Sequence, residues 1–206
     1  MPQLPDSYDT LAGPGEAEIK VQRSRFLAVA APAMDEDAAR ALVLELRRRH
    51  HDARHVCHGW RLGIGGEVEA RNDDGEPSGT AGEPILATIR GAGLSDAAVA
   101  VVRWFGGVKL GTGGLQRAYG DAAAAALAAA PRRTVLLGRR FHLDLDYARQ
   151  KTVRHLLDAH DGRVEHEDYT DRVAWRIWLP HSRWEGFAAA LREATADQLH
   201  LRDADS

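Results

Sequence analysis

A buried strand, a glycine-rich loop and an alanine-rich helix follow one another between residues 97 and 130, and this succession leaves few choices of fold. Residues 97–104, "AAVAVVRW", form a continuous apolar run, which predicts a strand buried on both faces. Glycines crowd the next ten residues, and residues 114–130 predict a helix ended by Pro131. Because alanine combines high helix propensity with little bulk, we expect this helix to pack close to a sheet.

The segments before this unit alternate between strand and helix patterns. Residues 17–31 predict extended structure, and a helix with apolar spacings of three and four follows Asp35, its expected N-cap. Residues 55–73 predict a hairpin with a Gly-Gly turn, and residues 84–93 predict a short helix. The first fifteen residues, rich in proline and glycine, predict a loosely held extension.

The last third of the chain has its own pattern. Residues 138–202 alternate between strand and helix periodicities in the order βαββαβ, which predicts a ferredoxin-like split βαβ domain. Gly162 is expected to end its first helix, and Ser182 with Glu185 forms the spacing of a capping box for the second. Leu199 and Leu201 predict the closing strand.

Length and composition indicate a two-domain α+β protein. The 206 residues divide into an extended segment (1–16), a first domain (17–137) and a second domain (138–206). The net charge of −3 means that any polyanionic partner must meet a local basic patch.

Features of the sequence also bear on location. Cys57 is the only cysteine, which excludes an intramolecular disulfide and suits a reducing compartment. The opening residues lack the basic start and apolar core of a secretory signal, and the longest apolar run, Ala122–Ala130, is too short to span a membrane. We therefore expect a cytoplasmic protein without membrane contact.

The glycine-rich loop is the first candidate site. Gly111, Gly113 and Gly114 precede a helix whose first N–H groups and positive dipole end favour anions, and their backbone can approach a phosphate closely. Lys109 and Arg117 add positive charge beside Thr112. The spacing fits neither a P-loop nor a dinucleotide-binding fingerprint. The alternative is a glycine-rich connection that only allows tight contact between helix and sheet.

The acidic loop at residues 72–84 is the second candidate. Asp73, Asp74 and Glu76 could hold Mg²⁺, or Asp74 could act as a general base. Ser78 or Thr80 is expected to cap the following helix. The alternative is a capped structural loop whose acids are solvated or stabilise the helix N-terminus.

Two weaker constellations remain. His51 and His55 have the i, i+4 spacing of zinc ligands on a helix, and Cys57 could be a thiolate beside His55, although no second cysteine completes a metal set. A basic patch would form if the strands bring together the arginines Arg23, Arg25, Arg47 to Arg49, Arg54, Arg61 and Arg103. The alternative is a solvated face.

Four motifs, in this order, resemble the Impact/YigZ family: "RSRFLA", "HVCHGW", "NDDGEPSGTAGEPIL" and "VVRWFGGVKLGTGGLQRAYG". The resemblance implies a first domain similar to domain 2 of ribosomal protein S5 and a second similar to the ferredoxin-like last domain of elongation factor G. Both folds occur together in that factor, which suggests an RNA-facing or ribosome-facing protein. The eukaryotic relative is associated with control of translation initiation through protein contact.

Three functional hypotheses follow. The first is a noncatalytic translation-associated protein that binds RNA, the ribosome or a translation-control partner without reading DNA sequence. The second is an enzyme acting on a small phosphorylated compound, with Mg²⁺ or a base on the acidic loop. The enzyme hypothesis requires the acidic loop and the glycine-rich loop to lie at one cleft. It is the only one of the three hypotheses that includes a cofactor, Mg²⁺. The third is a protein-interaction module in which the loops only shape a rigid surface.

Overall fold

The structure, a computed structural model, describes residues 4–204. It divides into two compact units, one spanning Tyr8–Val135 and the other formed by the residues from Leu136 onward with those before Tyr8. Both units mix helices with antiparallel sheets, as the sequence predicts. Within the described range, no helix has the length and apolarity needed to cross a membrane.

The first unit is built on a five-stranded antiparallel sheet with the order β2-β3-β6-β4-β5. Its strands, together with a separate two-stranded sheet of β1 and β7, have these bounds: β1 Ser7–Leu11, β2 Gly15–Val21, β3 Ser24–Pro32, β4 His55–Leu62, β5 Val68–Asn72, β6 Ala97–Trp104 and β7 Arg132–Leu136. β6 lies at the centre of the sheet and seven of its eight residues are buried. The predicted strand with two buried faces is therefore confirmed.

Three helices cover the two faces of this sheet: α1 Glu36–Arg49, α2 Gly82–Gly91 and α3 Gly111–Ala129. α1 packs Val43 and Leu46 on one face, while α2 and α3 share a core with the other. The Asp35 cap of α1 is confirmed, because its carboxylate accepts the Ala38 N–H at 2.8 Å. α3 begins three residues earlier than predicted, so Gly111 to Gly113 belong to its first turn.

The alanine-rich face of α3 lies close to β2, as expected. A Cβ built on Gly15 of β2 would lie 2.3 Å from the backbone nitrogen of Ala130 and 2.5 Å from the carbonyl oxygen of Ala126. Only glycine fits at such a distance, since real Cβ atoms do not approach backbone this closely. Glycine on the strand and alanine on the helix therefore allow the helix to sit directly on the sheet.

The prediction of a loosely held N-terminal segment was wrong for the part that the structure describes, while residues 1–3 lie outside it. Ser7–Leu11 forms β1, which pairs with β7, and Gly15 already belongs to β2. Thr10 and Leu11 are fully buried, and the Tyr8 hydroxyl donates a hydrogen bond of 2.6 Å to the Asp96 carboxylate.

The second unit has the predicted βαββαβ order and the strand arrangement β11-β8-β10-β9 of a ferredoxin-like domain. The elements are β8 Gly138–Leu145, a short 3₁₀ turn at Tyr147–Arg149, α4 Gln150–Ala159, β9 Arg163–Tyr169, β10 Val173–Pro180, α5 Trp184–Ala194 and β11 Arg202–Asp203. Trp175 and Phe187 are buried in its core. β11 is shorter and later than predicted, although Leu199 is buried.

The predicted capping box of α5 was wrong. The N-cap of α5 is Arg183, without a side-chain cap. The Ser182 hydroxyl and N–H both donate to the carboxylate of Asp6 instead. A contact with a residue distant in sequence therefore replaces the local motif. α4 ends before Gly162 as predicted, but the left-handed residue after it is Asp161, with a φ of +56°, while the Gly162 N–H bonds the Leu157 carbonyl oxygen.

Two glycine-to-alanine substitutions should have opposite effects on stability. Gly15→Ala forces its methyl into the backbone of α3 and should lower the free energy of unfolding by roughly 1–3 kcal/mol, as overpacking does. Gly120→Ala, inside α3, places its methyl 3.8 Å from the nearest neighbouring atom, Thr88 Oγ1. It should raise the free energy of unfolding by about 0.5–1 kcal/mol because alanine has the better helix propensity. Urea denaturation measures both, and equal effects of the two changes would contradict the described packing.

Candidate anion-binding site

The acidic loop and the glycine-rich loop meet in one cleft of the first unit, with a volume of about 470 Å³. Its wall includes Glu76 from the acidic loop, Arg103 and Phe105 at the end of β6, and Lys109 with the first turn of α3. Arg54 and His55 contribute from the start of β4. The arrangement required by the enzyme hypothesis, two loops at one cleft, is thus present.

A buried ion pair forms the floor of the cleft. The Arg103 guanidinium donates through Nη1 to Oε1 of Glu76, and the Tyr119 hydroxyl donates to the same oxygen at 2.8 Å. Only 7% of the Arg103 side chain and 4% of the Glu76 side chain are exposed. Burial raises the pKa of Tyr119 well above its usual range, so the phenol stays a donor. Three elements, the acidic loop, β6 and α3, are joined at this carboxylate.

Positive charge predominates around this floor. Arg54, Arg103 and Lys109 line the cleft, against the single carboxylate of Glu76. Arg103 Nε is buried and has no hydrogen-bond partner within residues 4–204. Because that N–H is a strong donor, a ligand oxygen that reached it would supply a missing bond.

The first turn of α3 faces the same cleft with its backbone donors. Its N-cap, Leu110, makes no side-chain cap, and Gly111 has a φ of +69°, a conformation suited to glycine. A Cβ at Gly111 or Gly113 would meet no atom within 4 Å, and residues 111 to 113 are exposed. Free N–H groups at the positive end of a 19-residue helix, beside Lys109, favour an anion.

Asp73 has a structural role and lies outside the set of cleft residues. Its two carboxylate oxygens accept backbone N–H groups from Gly79, Ala81 and Gly82 at 2.8–2.9 Å, which caps α2. Burial alone would raise the pKa of Asp73, but these three donors outweigh it and hold the pKa below its ordinary value. Asp73 therefore fits the alternative interpretation of this loop, in which an acidic side chain stabilises the N-terminus of the following helix.

Both carboxylate oxygens of Asp74 also have partners within the protein. One carboxylate oxygen accepts the Val56 N–H at 2.6 Å and the other pairs with Arg47 at 2.8 Å. The residue has a φ of +44°, and its carbonyl oxygen accepts from His55 Nδ1 at 2.8 Å. With all four oxygens of Asp73 and Asp74 engaged, the predicted roles of Mg²⁺ ligand and general base do not fit. No cluster of three or more potential metal ligands occurs in the described part of the chain.

The prediction that Ser78 or Thr80 caps α2 was wrong. The Thr80 hydroxyl donates at 2.6 Å to the carbonyl oxygen of Pro77, within its own turn, and Ser78 is exposed. Asp73 supplies the cap from outside the helix. A residue eight or nine positions away can replace the local cap because the loop folds back on the helix N-terminus.

The predicted arginines do not all converge. Arg103 lines the cleft, but Arg61 is held elsewhere, donating to the Leu94 carbonyl oxygen at 2.8 Å and to Ser95 Oγ at 2.7 Å. Arg25 stacks 3.6 Å over the ring of Trp104. Arg117 is exposed on α3, and Gly114 lies in the first turn of that helix. The predicted single patch of Arg25, Arg61 and Arg103 is therefore wrong.

The zinc and thiolate interpretations were also wrong. α1 ends at Arg49, so His51 lies beyond the helix and His55 opens β4, and they share no helix face. Cys57 is buried, and burial raises the pKa of its thiol above the usual range. Its sulfur lies 3.0 Å from the Asp73 carbonyl oxygen and 3.3 Å from the Tyr119 hydroxyl, and its single S–H can donate to one of the two, which gives it a packing role.

Some site residues escaped the sequence-based prediction. Phe105 was passed over as part of a loop, and Tyr119 as part of a helix, although both stand inside the glycine-rich motif. Arg54 was predicted only as a member of the possible arginine patch. His55 was predicted only as a possible zinc ligand or as the neighbour of a Cys57 thiolate. The available signal was the motif itself, whose polar and aromatic residues surround the glycines. Their convergence depends on β4 pairing with β6.

The fold thus defines a two-domain α+β protein whose first domain carries a cationic cleft. The Impact N-terminal domain family matches residues 22–127, and the family described as Domain of unknown function (DUF1949) matches residues 143–198. The chain belongs to the Impact family.

Relatives and a solved structure match over nearly the whole chain. "IMPACT family member YigZ" of Escherichia coli (strain K12) is 36% identical over 200 residues, covering 95% of this chain and 97% of its own. "IMPACT family member YvyE" of Bacillus subtilis (strain 168) is 30% identical and covers 97% and 92%, respectively. A structure titled "Crystal structure of an hypothetical protein" aligns with a TM-score of 0.63 at 32% identity, covering 96% of this chain and 97% of that one.

The depressed pKa of Asp73 predicts how stability responds to acid. The ionised carboxylate is favoured by folding, so its contribution is fully present above the unfolded pKa and is lost as the pH falls below about 4. Asp73→Asn should lower the free energy of unfolding at pH 7 by about 1–3 kcal/mol, because the amide NH₂ faces a backbone N–H that the second carboxylate oxygen had accepted. The difference from the parent protein should shrink below pH 4. Asp121→Asn, an exposed change on α3, is the control, and a pH-independent difference for Asp73→Asn would contradict the assignment.

Proposed function

We propose that this protein is a noncatalytic translation-associated protein that holds phosphate groups of RNA in the cleft. The observation that carries the proposal is the convergence of three cations with the uncapped N-terminus of α3 around one concave surface. Phosphate oxygens suit both kinds of donor, since cationic side chains and helix N-termini are the usual phosphate contacts in nucleic-acid complexes. We place this activity in the cytoplasm, where translation occurs.

The charge distribution of the chain favours the cleft as the surface that binds RNA. With a net charge of −3, the whole protein does not attract RNA, so the local field must do so. The carboxylates of Asp73 and Asp74 lie outside the set of cleft residues, where Asp73 accepts backbone N–H groups and Asp74 pairs with Arg47. Lys109 and Arg54 are exposed at the rim and are free to meet a phosphate. Membership of the Impact family supports a partner in the translation apparatus.

Charge reversal at the rim should abolish RNA binding. The variant Lys109→Glu/Arg54→Glu should lose co-sedimentation with ribosomes and binding of a fluorescent RNA hairpin with an unpaired loop. For the parent protein, log K should fall with log salt by roughly 0.7 to 0.9 per phosphate contact.

The matched control is Lys20→Glu/Arg25→Glu. It makes the same change of charge on β2 and β3, and neither residue lines the cleft. Equal loss of binding in both double variants would show a general charge effect and contradict the proposal. Unchanged binding by Lys109→Glu/Arg54→Glu at physiological salt would also contradict it. Loss of ribosome capture after nuclease treatment of the extract supports RNA as partner, whereas retention indicates the protein-interaction module.

A second function, an enzyme acting on a small phosphorylated compound, is favoured by one specific observation. His55 donates its Nδ1 proton to the Asp74 carbonyl oxygen, which leaves Nε2 as the basic nitrogen of the neutral ring, 3.9 Å from Glu76 Oε1 in the same cleft. A positioned histidine beside a phosphate-binding loop is a candidate general base. Turnover of a phosphorylated compound that is lost in His55→Gln, with folding intact, would support this function over the first.

A further inference from the structure

We infer that the cleft takes an unpaired nucleotide of single-stranded RNA, with its base stacked on Phe105 and its phosphate bound by Lys109 and the first turn of α3. This inference rests on the proposed function, because it specifies which form of RNA the cleft binds.

The shape of the cleft favours an inserted ligand over a surface contact. Its volume of about 470 Å³ lies in the range of pockets that enclose most of a small molecule. The Arg103 guanidinium lies at the floor, with only 7% of its side chain exposed. A phosphate on the outside of a duplex meets exposed cations, but a group that reaches Arg103 has to enter the cleft. A nucleotide turned out of a single strand can do so.

Phe105 provides the surface for a base. Its side chain is 54% exposed although it lines the cleft, and its ring lies 5.7 Å from the Arg103 guanidinium carbon. A large aromatic ring left in solvent beside cations is the combination by which proteins bind single-stranded nucleic acids, through stacking on any base. Val108, three residues further along the same loop, is also exposed.

The phosphate position follows from the same loop. Lys109 and Gly111 stand four and six residues after Phe105, and all three line one cleft. The base and the phosphate of a single nucleotide are separated by its ribose, so both ends can be held at once. Residues 111 to 113 are exposed, and no side chain caps the amide donors of this first turn.

The floor of the cleft contains a hydrogen-bond donor that a polar atom of the same nucleotide could engage. Arg103 Nε is buried without a hydrogen-bond partner in the part of the chain that the structure describes, while Nη1 of the same group is fixed by Glu76. This donor is independent of the helix N-terminus and needs an acceptor oxygen or nitrogen. A ribose hydroxyl or a base edge offers one, and the Watson–Crick edge of a base is available only when that base is unpaired.

The test compares forms of RNA and variants of Phe105 by fluorescence anisotropy. The probes are a single-stranded 12-nucleotide RNA, the same strand annealed to its complement, and adenosine monophosphate as competitor. The parent protein should prefer the single strand. Phe105→Ala should weaken single-strand binding by roughly 5- to 150-fold, as expected for one stacked base, while duplex binding stays the same. Phe105→Trp should retain binding because it keeps an aromatic face, and Val108→Ala, an exposed neighbour, should change nothing.

The outcomes separate this inference from the proposed function. Equal binding of duplex and single strand, unaffected by Phe105→Ala but lost in Lys109→Glu/Arg54→Glu, overturns the single-strand inference and leaves RNA binding intact. Competition by the mononucleotide at the affinity of the 12-nucleotide strand also overturns it, in favour of a small phosphorylated ligand. Absence of binding to either RNA overturns the proposed function itself.

Discussion

The buried contact of Glu76 with Arg103 and Tyr119 determines the shape of the candidate site. It joins the acidic loop, the end of β6 and α3 at one carboxylate oxygen. Desolvation of two charges offsets much of their attraction, so the pair is weak evidence for added stability. Loss of one partner, however, leaves the other charge buried and costs about 3–5 kcal/mol. The pair therefore fixes where the loop lies and keeps the cleft open beside it.

This arrangement explains how a slightly acidic chain can present a cationic surface. The acidic loop turns its carboxylates inward, where Asp73 caps α2 and Asp74 binds the start of β4. Arg54 and Lys109 remain exposed at the rim. The glycines of the α3 N-terminus leave its donors uncovered, so helix dipole and side chains act in the same place. The two motifs thus contribute to one site in different ways. The acidic loop is held in place by internal hydrogen bonds beside the cleft, and the glycine-rich loop supplies the exposed donors.

Local patterns predicted most of the fold, and contacts distant in sequence decided what they missed. β6, the hairpin after His55 and the βαββαβ order follow from periodicity, turn residues and helix stops that lie within a few positions of one another. Asp73 replaced Ser78 and Thr80 as the cap because the loop folds back over the helix. Ser182 bonded Asp6 across 176 positions in place of its own helix. The pairing of β1 with β7 likewise depends on residues from opposite ends of the first unit.

The candidate site was predictable in part. The glycine-rich loop and Lys109 were identified from physical reasoning about helix N-termini, and Arg103 from its charge. Arg61 could not be separated from Arg103 by sequence, because both are strand arginines and only the sheet order shows which one reaches the cleft. Glu76 stood out from Asp73 and Asp74 only when the structure showed which carboxylates already had backbone partners.

An amide NMR titration of the full ¹⁵N-labelled chain with the single-stranded RNA tests the central claim most directly, because it observes the proposed donors themselves. The account predicts that the largest saturable shifts occur at the amides of Gly111, Thr112 and Gly113. If RNA binds while these three signals stay unchanged and others move, the α3 N-terminus is not the contact and the account is contradicted.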